Sequence, residues 1–554
     1  MRHIFLIGLS GSGKSTVGRL LERDLGMPLL DIDALIEEEC GERIPTIFAR
    51  HGEEYFRSCE SLLLDRVTRT KSGAIISTGG GIVTRAQNRA LMAERGVRVY
   101  LHVEPALALR RLQAQLELAI AQNTVFEVRP LLAGPDPLAS LQHLLSARAS
   151  WYQEAELVCS TLNKSARQVA REIIAMLNSA GELETIAPIV RHIKTGDGYD
   201  AVVDWGGLGR LGDYLKQLQI PPRIFLFTDS NLERLYASTL TQNLVQAGFE
   251  PHLYVIPAGE SSKSLTQLSA IYDWLVEQQA ERREAIIAFG GGVVGDLVGY
   301  AAASYLRGVP LIQVPTSLLA QVDSSIGGKT GINHPQGKNL IGAFYSPRLV
   351  LADPAVLLTL PERERTEGWA EIVKYGIILD AELFAQLEAH ADTLRAFSHP
   401  PVPLLCQIVA RCIDLKAMVI EEDEREQGLR AILNYGHTLA HALENVSGYG
   451  EWLHGEAVSL GMVAAARLAQ EADMFPTASV ERQNALLAAL GLPTIYHGSV
   501  RTRDILTKIQ LDKKVVGKRV RWIMPRQIGE VFVTQMPDEL VERVVTTFFA
   551  EKQM

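Results

Sequence analysis

Residues 8–15 read GLSGSGKS, directly after the apolar stretch HIFLIG and at the start of a helical period. That order is what a phosphate-binding loop requires, because glycines let backbone N–H groups converge on phosphate oxygens at a helix start. Gly11, Ser12, Gly13, Lys14, Ser15 and Thr16 are the candidate contacts. Lys14 would reach the β and γ phosphates, and the Ser15 hydroxyl would ligate Mg²⁺. Downstream, LLDIDALIEEECG sets Asp31 and Asp33 at the end of an apolar strand. Asp33 can accept a hydroxyl proton, and Asp31 can hold Mg²⁺ through water. Arg57, the Gly79–Gly80–Gly81 turn, Arg129 in a lid-like segment and Arg148 follow in order. Singly, each arginine is an ordinary surface ion-pair former. Grouped around a phosphate loop, they suit clamps on a triphosphate and a small carboxylate.

A second set of reactive residues lies far along the chain. NYGHTLAHALENVSGYGEWLHGEAV, residues 434–458, holds His437, His441 and His454. His437 and His441 are four apart and share a helix face. Glu371 and Lys374 in GWAEIVKYG, three apart, also share a face. A glutamate and two histidines with an open position suit a catalytic Zn²⁺. Spacing alone leaves open which histidines take part.

Between these sets, AIIAFGGGVVGD at 285–296 is an apolar strand followed by a glycine turn. Such a turn admits a pyrophosphate, or merely reverses the chain. TDSN at 228–231 and PAGESSK at 257–263 end two other strands. Polar loops at three strand ends fit the ligand crevice of an open parallel sheet. The run from 305 to 345 carries Arg307, Asp323, Lys329, Lys338 and Asn339 among apolar residues and glycines. It reads as a site for phosphate or carboxylate, or as a hairpin with surface lysines.

The elements that must position these residues follow from periodicity. Residues 1–178 alternate short apolar strands with amphipathic helices, and 179–188 read as a linker with Gly181 and Pro188 as breakers. Within 189–353, YDAVVD, RIFLFTD, HLYVIP, AIIAFGG and LIQVP read as strands of a largely parallel sheet. Residues 354–554 are mainly helical in period. The fold class is therefore α/β with a helical last part. A chain of 554 residues exceeds one core, and 47% hydrophobic with 21% charged residues is an ordinary soluble composition. The net charge of −9 argues against a nucleic-acid or membrane-surface role. Five scattered cysteines without a CxxC pair read as reduced thiols, which fits a cytoplasmic setting. No apolar run reaches 18 residues, so no transmembrane span is expected.

Two families share these motifs. The first 175 or so residues resemble shikimate kinase, a P-loop fold. The resemblance implies ATP- and Mg²⁺-dependent phosphorylation of the shikimate 3-hydroxyl. It puts Asp33, Arg57, Gly79, Gly80, Gly81 and Arg148 on shikimate, with Asp33 as base, and Arg129 over the ATP phosphates. Ser150 stands where a proline often follows the Arg-Ala pair. Residues 186–554 resemble 3-dehydroquinate synthase, a Rossmann-like NAD-binding domain followed by a helical metal domain. That resemblance implies recycled NAD, Zn²⁺ or Co²⁺, and 3-deoxy-D-arabino-heptulosonate 7-phosphate as substrate. It assigns the metal to Glu371, His437 and His454. Substrate contacts fall on Arg307, Asp323, Lys329, Asn339 and Lys374, and on Lys416, Arg430, Asn434 and His441. NAD contacts fall on Asp229, Asn231, Glu260, Lys263 and Gly291, and on Gly292, Asp296, Thr316, Ser317 and Lys338. Arg307, Lys329, Lys374 and His441 are the catalytic candidates there, and Lys513 or Lys514 is a further substrate candidate. A homodimer through the second half is expected. The competing reading is another small-metabolite P-loop kinase joined to a glycerol-dehydrogenase-like enzyme, whose neutral substrates would not need so many cations.

Overall fold

The computed structural model describes residues 2–25, 27–69, 73–121, 136–180, 187–397, 402–424, 428–448, 451–515 and 520–550. The chain divides into two compact units, residues 1–185 and 186–554.

The first unit is a five-stranded parallel sheet. Its strands are β1 (His3–Ile7), β2 (Leu29–Asp31), β3 (Ile75–Ser77), β4 (Gly96–His102) and β5 (Leu157–Ser160), in the order β2-β3-β1-β4-β5. HIFLI is buried along its whole length, as a strand covered on both faces must be. Its alternation decides the two cores. Phe5 and Ile7 pack with Ile76 and Tyr100 on one side, while Ile4 and Leu6 pack with Ile75, Val97 and Val99 on the other. Asp31, the last residue of β2, caps the helix Ile32–Cys40 by accepting from the Asp33 and Ala34 N–H groups. The helix Ile44–Val67 breaks at Gly52, where φ is +80°.

The second unit opens with the antiparallel pair β6 (Ile189–Ile193) and β7 (Tyr199–Val203). The strands β8 (Arg223–Asp229), β9 (Glu250–Ile256), β10 (Ala285–Gly290) and β11 (Leu311–Pro315) follow. Next comes the antiparallel hairpin β12 (Lys329–His334) and β13 (Gly337–Phe344), and then β14 (Leu349–Ala352). The large sheet runs β6-β7-β14-β11-β10-β8-β9, parallel beyond β7. The polar segments singled out in sequence sit at carboxyl ends of its parallel strands. Asp229 ends β8, Gly291 follows β10 and Thr316 follows β11.

Helices dominate from 354 onward, including Glu362–Ile378, His437–Ser447 and His454–Glu471. The first of these is buried continuously from Gly368 to Ile378, so its polar residues Glu371 and Lys374 lie inside. One departure from the helical expectation is the hairpin β15 (Arg521–Gln527) and β16 (Glu530–Gln535). Gly529 turns it with φ +92°, and aromatic and β-branched residues on both sides carry the strand signal. The run from 305 to 345 contains the hairpin that was one of its two readings in sequence. Much of it is the β12–β13 hairpin, with Lys329 exposed at one end. No helix among the described residues is long and apolar enough to cross a membrane.

Candidate functional site

Two adjoining cavities occupy the first unit. The larger, about 800 Å³, is lined by Gly11, Ser12, Gly13, Lys14, Ser15 and Thr16. The smaller, about 330 Å³, is lined by Asp33, Arg57, Gly79, Gly80, Gly81 and Arg148. Asp31 and Asp33 line both. Every candidate of this half is thereby placed, except Arg129, which lies outside the described residues. Lys14 donates to the carbonyls of Gly8 (2.9 Å) and Leu9 (3.0 Å), folded onto its own loop. The Ser15 hydroxyl donates to Asp31 Oδ2 at 2.7 Å, so an oxygen pair faces the phosphate loop.

The small cavity depends on the glycine turn. A Cβ on Gly81 would stand 2.2 Å from Arg57 Nη2, so any side chain there displaces the guanidinium. Two donors meet the Gly80 carbonyl, Arg148 Nη1 at 2.9 Å and Tyr152 OH at 2.6 Å. Arg57 is itself held by Glu60 Oε2 at 2.8 Å and by Glu53 Oε1 at 3.0 Å. The other oxygen of Glu60 is buried without a hydrogen bond. Burial pushes the Glu60 carboxyl up to about 7, against the pull of Arg57. Glu60, Tyr152 and Arg111, which bonds Thr161 beside the large cavity, are absent from the sequence reading. Glu60 and Tyr152 lie three and four residues after assigned arginines, the spacing of one helical face.

In the second unit, Glu371, His437 and His454 present one ligand atom each, all within 4.8 Å of one another. His437 and His454 are the first residues of their helices. The start of the first helix packs against the second about two turns in from His454. A Cβ on Gly461 would stand 1.9 Å from the Gly436 carbonyl oxygen, so only glycine permits the approach. His437 Nε2 lies 3.5 Å and His454 Nε2 3.7 Å from Glu371 Oε1. The other ring nitrogens are occupied: His437 Nδ1 meets Tyr435 O at 3.2 Å, and His454 Nδ1 meets Glu444 Oε1 at 3.5 Å. Each ring is thus held with Nε2 toward the carboxylate, the support that metal-binding histidines need. Burial, with Lys374 nearby, holds His437 well below its usual value, so its imidazole is neutral. Both Glu371 oxygens are buried and lack a hydrogen bond, although Lys374 forms an ion pair with one. A buried carboxylate left so under-satisfied is costly, and the donor set fits a divalent cation.

Several of the remaining candidates form three bonded groups. Lys416 donates to Asp323 Oδ1 (2.5 Å) and Tyr375 donates to it at 3.0 Å. Burial opposes ionisation of Asp323, but Lys416 and Lys374 outweigh it and hold the carboxyl well below its usual range. Lys263 donates to Asp296 Oδ2 (2.7 Å) and Asn339 Oδ1 (2.5 Å), near Glu260 at 3.8 Å. Lys338 donates to Glu444 Oε1 at 3.2 Å, joining the hairpin to the carboxylate behind His454. Burial works against the charge on Glu444, but His454 and Lys338 bring its carboxyl down to about 2.

Other candidates stand apart or serve the backbone. Asp229 caps a short turn through the Asn231 and Leu232 N–H groups. Ser317 accepts from Ala320 N–H, with Gly291 and Gly292 packed near Ser317 and Ser324. Thr316 is buried at the end of β11. Arg430 is buried and donates to Glu424 O, with Asn434 following in the same short helical turn. Arg307 is exposed at a turn with φ +63°, and the structure does not bring it into these groups. His441 is exposed, its ring 5.4 Å from His437 and 6.3 Å from His454. The side chains of Lys513 and Lys514 lie outside the described residues. Glu444 and Tyr375 were missed in sequence, although Glu444 is two turns beyond His437 on one face.

Comparison with known proteins adds an independent line. Residues 253–367 match the 3-dehydroquinate synthase N-terminal family, 368–515 the 3-dehydroquinate synthase C-terminal family, and 10–178 the shikimate kinase family. A 3-dehydroquinate synthase from Picosynechococcus sp. is 45% identical over 348 residues, 63% of this chain and 95% of that protein. The solved 2-epi-5-epi-valiolone synthase of Streptomyces hygroscopicus, with NAD⁺ and Zn²⁺ bound, is 29% identical with a TM-score of 0.60, covering 64% of this chain and 97% of that one. A 2-deoxy-scyllo-inosose synthase complexed with carbaglucose-6-phosphate, NAD⁺ and Co²⁺ is 27% identical with a TM-score of 0.59, covering 65% and 100%.

Proposed function

We infer the work of each unit from one premise: the chain belongs to the 3-dehydroquinate synthase family and carries a shikimate kinase domain ahead of it. It is a bifunctional enzyme of the shikimate pathway. The first unit transfers the γ-phosphoryl group of ATP to the shikimate 3-hydroxyl. The observation that carries this is the pair of cavities meeting at Asp31 and Asp33. ATP fills the larger and shikimate the smaller. Asp33 accepts the hydroxyl proton, and Arg57 and Arg148 hold the carboxylate. Lys14 leaves the loop carbonyls for the phosphates. Ser15 and Asp31 would hold Mg²⁺, which would supply neutralisation of the phosphate charge.

The second unit converts 3-deoxy-D-arabino-heptulosonate 7-phosphate to 3-dehydroquinate and phosphate. The cluster of Glu371, His437 and His454 beside buried cations carries this reading. NAD supplies a transient hydride acceptor, and zinc or cobalt at the cluster supplies Lewis-acid polarisation of a substrate oxygen. Lys374, Lys416 and Arg430 bind the phosphate and carboxylate, and Asp323 fixes Lys416 for that task. Holding both anionic ends restricts the open-chain form to one closure geometry. Lys329, Asn339, Asn434 and His441 complete the substrate contacts, and Arg307 joins them on binding. NAD rests on the strand-end loops that carry Asp229, Glu260, Gly291 and Thr316. The kinase domain takes residues 1–178, the NAD-binding domain 189–353 and the helical metal domain 354–554, the synthase half pairing as a homodimer.

A substrate panel tests the kinase half. ADP formation with shikimate, and none with gluconate or nucleoside monophosphates, is expected; the reverse order refutes it. Its pH dependence has a definite sign. Below about pH 7 Glu60 is neutral, and Arg57 is free to pair with the substrate carboxylate. Above it, ionised Glu60 competes, so the shikimate KM should rise about threefold from pH 6 to 8. Glu60→Gln should flatten that profile; a flat wild-type profile contradicts the role. In the other half, Glu444→Gln should weaken Zn²⁺ binding about 10- to 100-fold, read by chelator competition. Unchanged affinity would remove Glu444 from the support of His454.

A further inference from the structure

A closed ring of hydrogen bonds ties the turn after β9 to the tip of the β12–β13 hairpin, and Asn333 is its hub. Asn333 sits where the hairpin register slips, between the pairs Ile332–Ile341 and His334–Gly337. Both ends of its amide are used. Nδ2 donates to Glu260 Oε1 at 2.8 Å, and Oδ1 accepts from the Asn339 backbone N–H at 2.9 Å. Its own backbone N–H donates to Lys263 O at 2.8 Å. Lys263 closes the ring, donating through Nζ to Asn339 Oδ1 at 2.5 Å and to Asp296 Oδ2 at 2.7 Å.

The ring explains why these residue types are needed. Asn339 has φ +54°, a strained region for a side chain other than glycine. The bond from its N–H to Asn333 helps hold it there, as an outside partner must. An aspartate at 333 would keep that acceptor but set a second carboxylate against Glu260. An alanine would leave both Glu260 and the Asn339 N–H without this partner.

We propose that Asn333 is a positioning residue that locks Glu260 and Lys263, on the NAD side, to Asn339, on the substrate side, so that cofactor and substrate each bind to an already ordered partner surface. This rests on the synthase reading of the second unit. Asn333 itself touches neither the metal cluster nor the reacting atoms.

The test uses the full-length chain and its Asn333→Asp variant. NAD affinity is titrated directly by protein fluorescence, and phosphate release is followed at varied substrate. We expect the NAD Kd and the KM for the heptulosonate phosphate each to rise about tenfold. The rate at saturation of both should stay within about threefold, and the kinase rate should be unchanged. In a Glu260→Gln background the same substitution should cost less than about twofold, because the glutamine amide now donates to the new carboxylate. A merely structural asparagine predicts equal losses in both backgrounds and a lower rate without the KM change, and either result overturns the proposal. So does an NAD Kd within twofold of wild type. The NAD titration stands without turnover: absence of phosphate release in the wild-type chain refutes the synthase reading, while the titration still decides the role of Asn333.

Discussion

His437→Ala should abolish phosphate release from the heptulosonate phosphate and leave ATP-dependent phosphorylation of shikimate within about twofold of wild type. The substitution removes one of three donors that converge within 4.8 Å. Loss of a ligand from so small a set should weaken Zn²⁺ binding at least a hundredfold and lower the synthase rate about a thousandfold. It also leaves Glu371 with one imidazole fewer beside its orphaned oxygens. His441→Ala is the informative companion. His441 shares the helix of His437 but is exposed, and it lies outside the set of converging atoms. That variant should keep Zn²⁺ within about threefold and lose synthase rate. Metal analysis on both proteins checks the pair. Equal loss of metal from the two would move the ligand set back to the helical neighbours.

Lys14→Ala should produce the mirror image, with shikimate phosphorylation lowered about a thousandfold and phosphate release from the heptulosonate phosphate unchanged. Lys14 is a buried cation that donates to the phosphate loop's own carbonyls. Its ammonium must exchange those carbonyls for phosphate oxygens when ATP enters. Coupled assays for ADP and for inorganic phosphate read both activities in one preparation. Parallel loss of both activities would indicate a collapsed chain, and Lys14→Met, which keeps the buried stem, separates that from a catalytic effect. Retention of kinase rate in both variants would take the phosphate role from Lys14.

Much of this was legible in sequence because chemistry and period coincided. GLSGSGKS lies between a buried strand and a helix, so motif and context supported each other. Five strands of the large sheet, β7 to β11, announced themselves as apolar runs, whereas the short parallel strand β14 did not. Two kinds of feature escaped. The first was structure whose signal is local and weak, such as the hairpin β15–β16 inside a helical stretch, or the edge strand β6. The second was support. Glu60, Tyr152 and Glu444 act through a neighbour's guanidinium, a carbonyl or an imidazole, so no ligand motif marks them. Only helical spacing from an assigned residue pointed to them. Spacing could also mislead. Two histidines four apart invited a shared site, yet the atoms that converge belong to three different helices. Arg307 shows the opposite limit, being assigned by resemblance and found exposed at a turn.

The central claim is that one chain performs both reactions, and one preparation can decide it. The full-length protein is given NAD, Zn²⁺ and the heptulosonate phosphate, then in a separate cuvette ATP, Mg²⁺ and shikimate. Phosphate should be released with no net change in NADH absorbance in the first, and ADP should form in step with shikimate consumed in the second. Stoichiometric accumulation of NADH, or ADP formation indifferent to shikimate, would contradict the account.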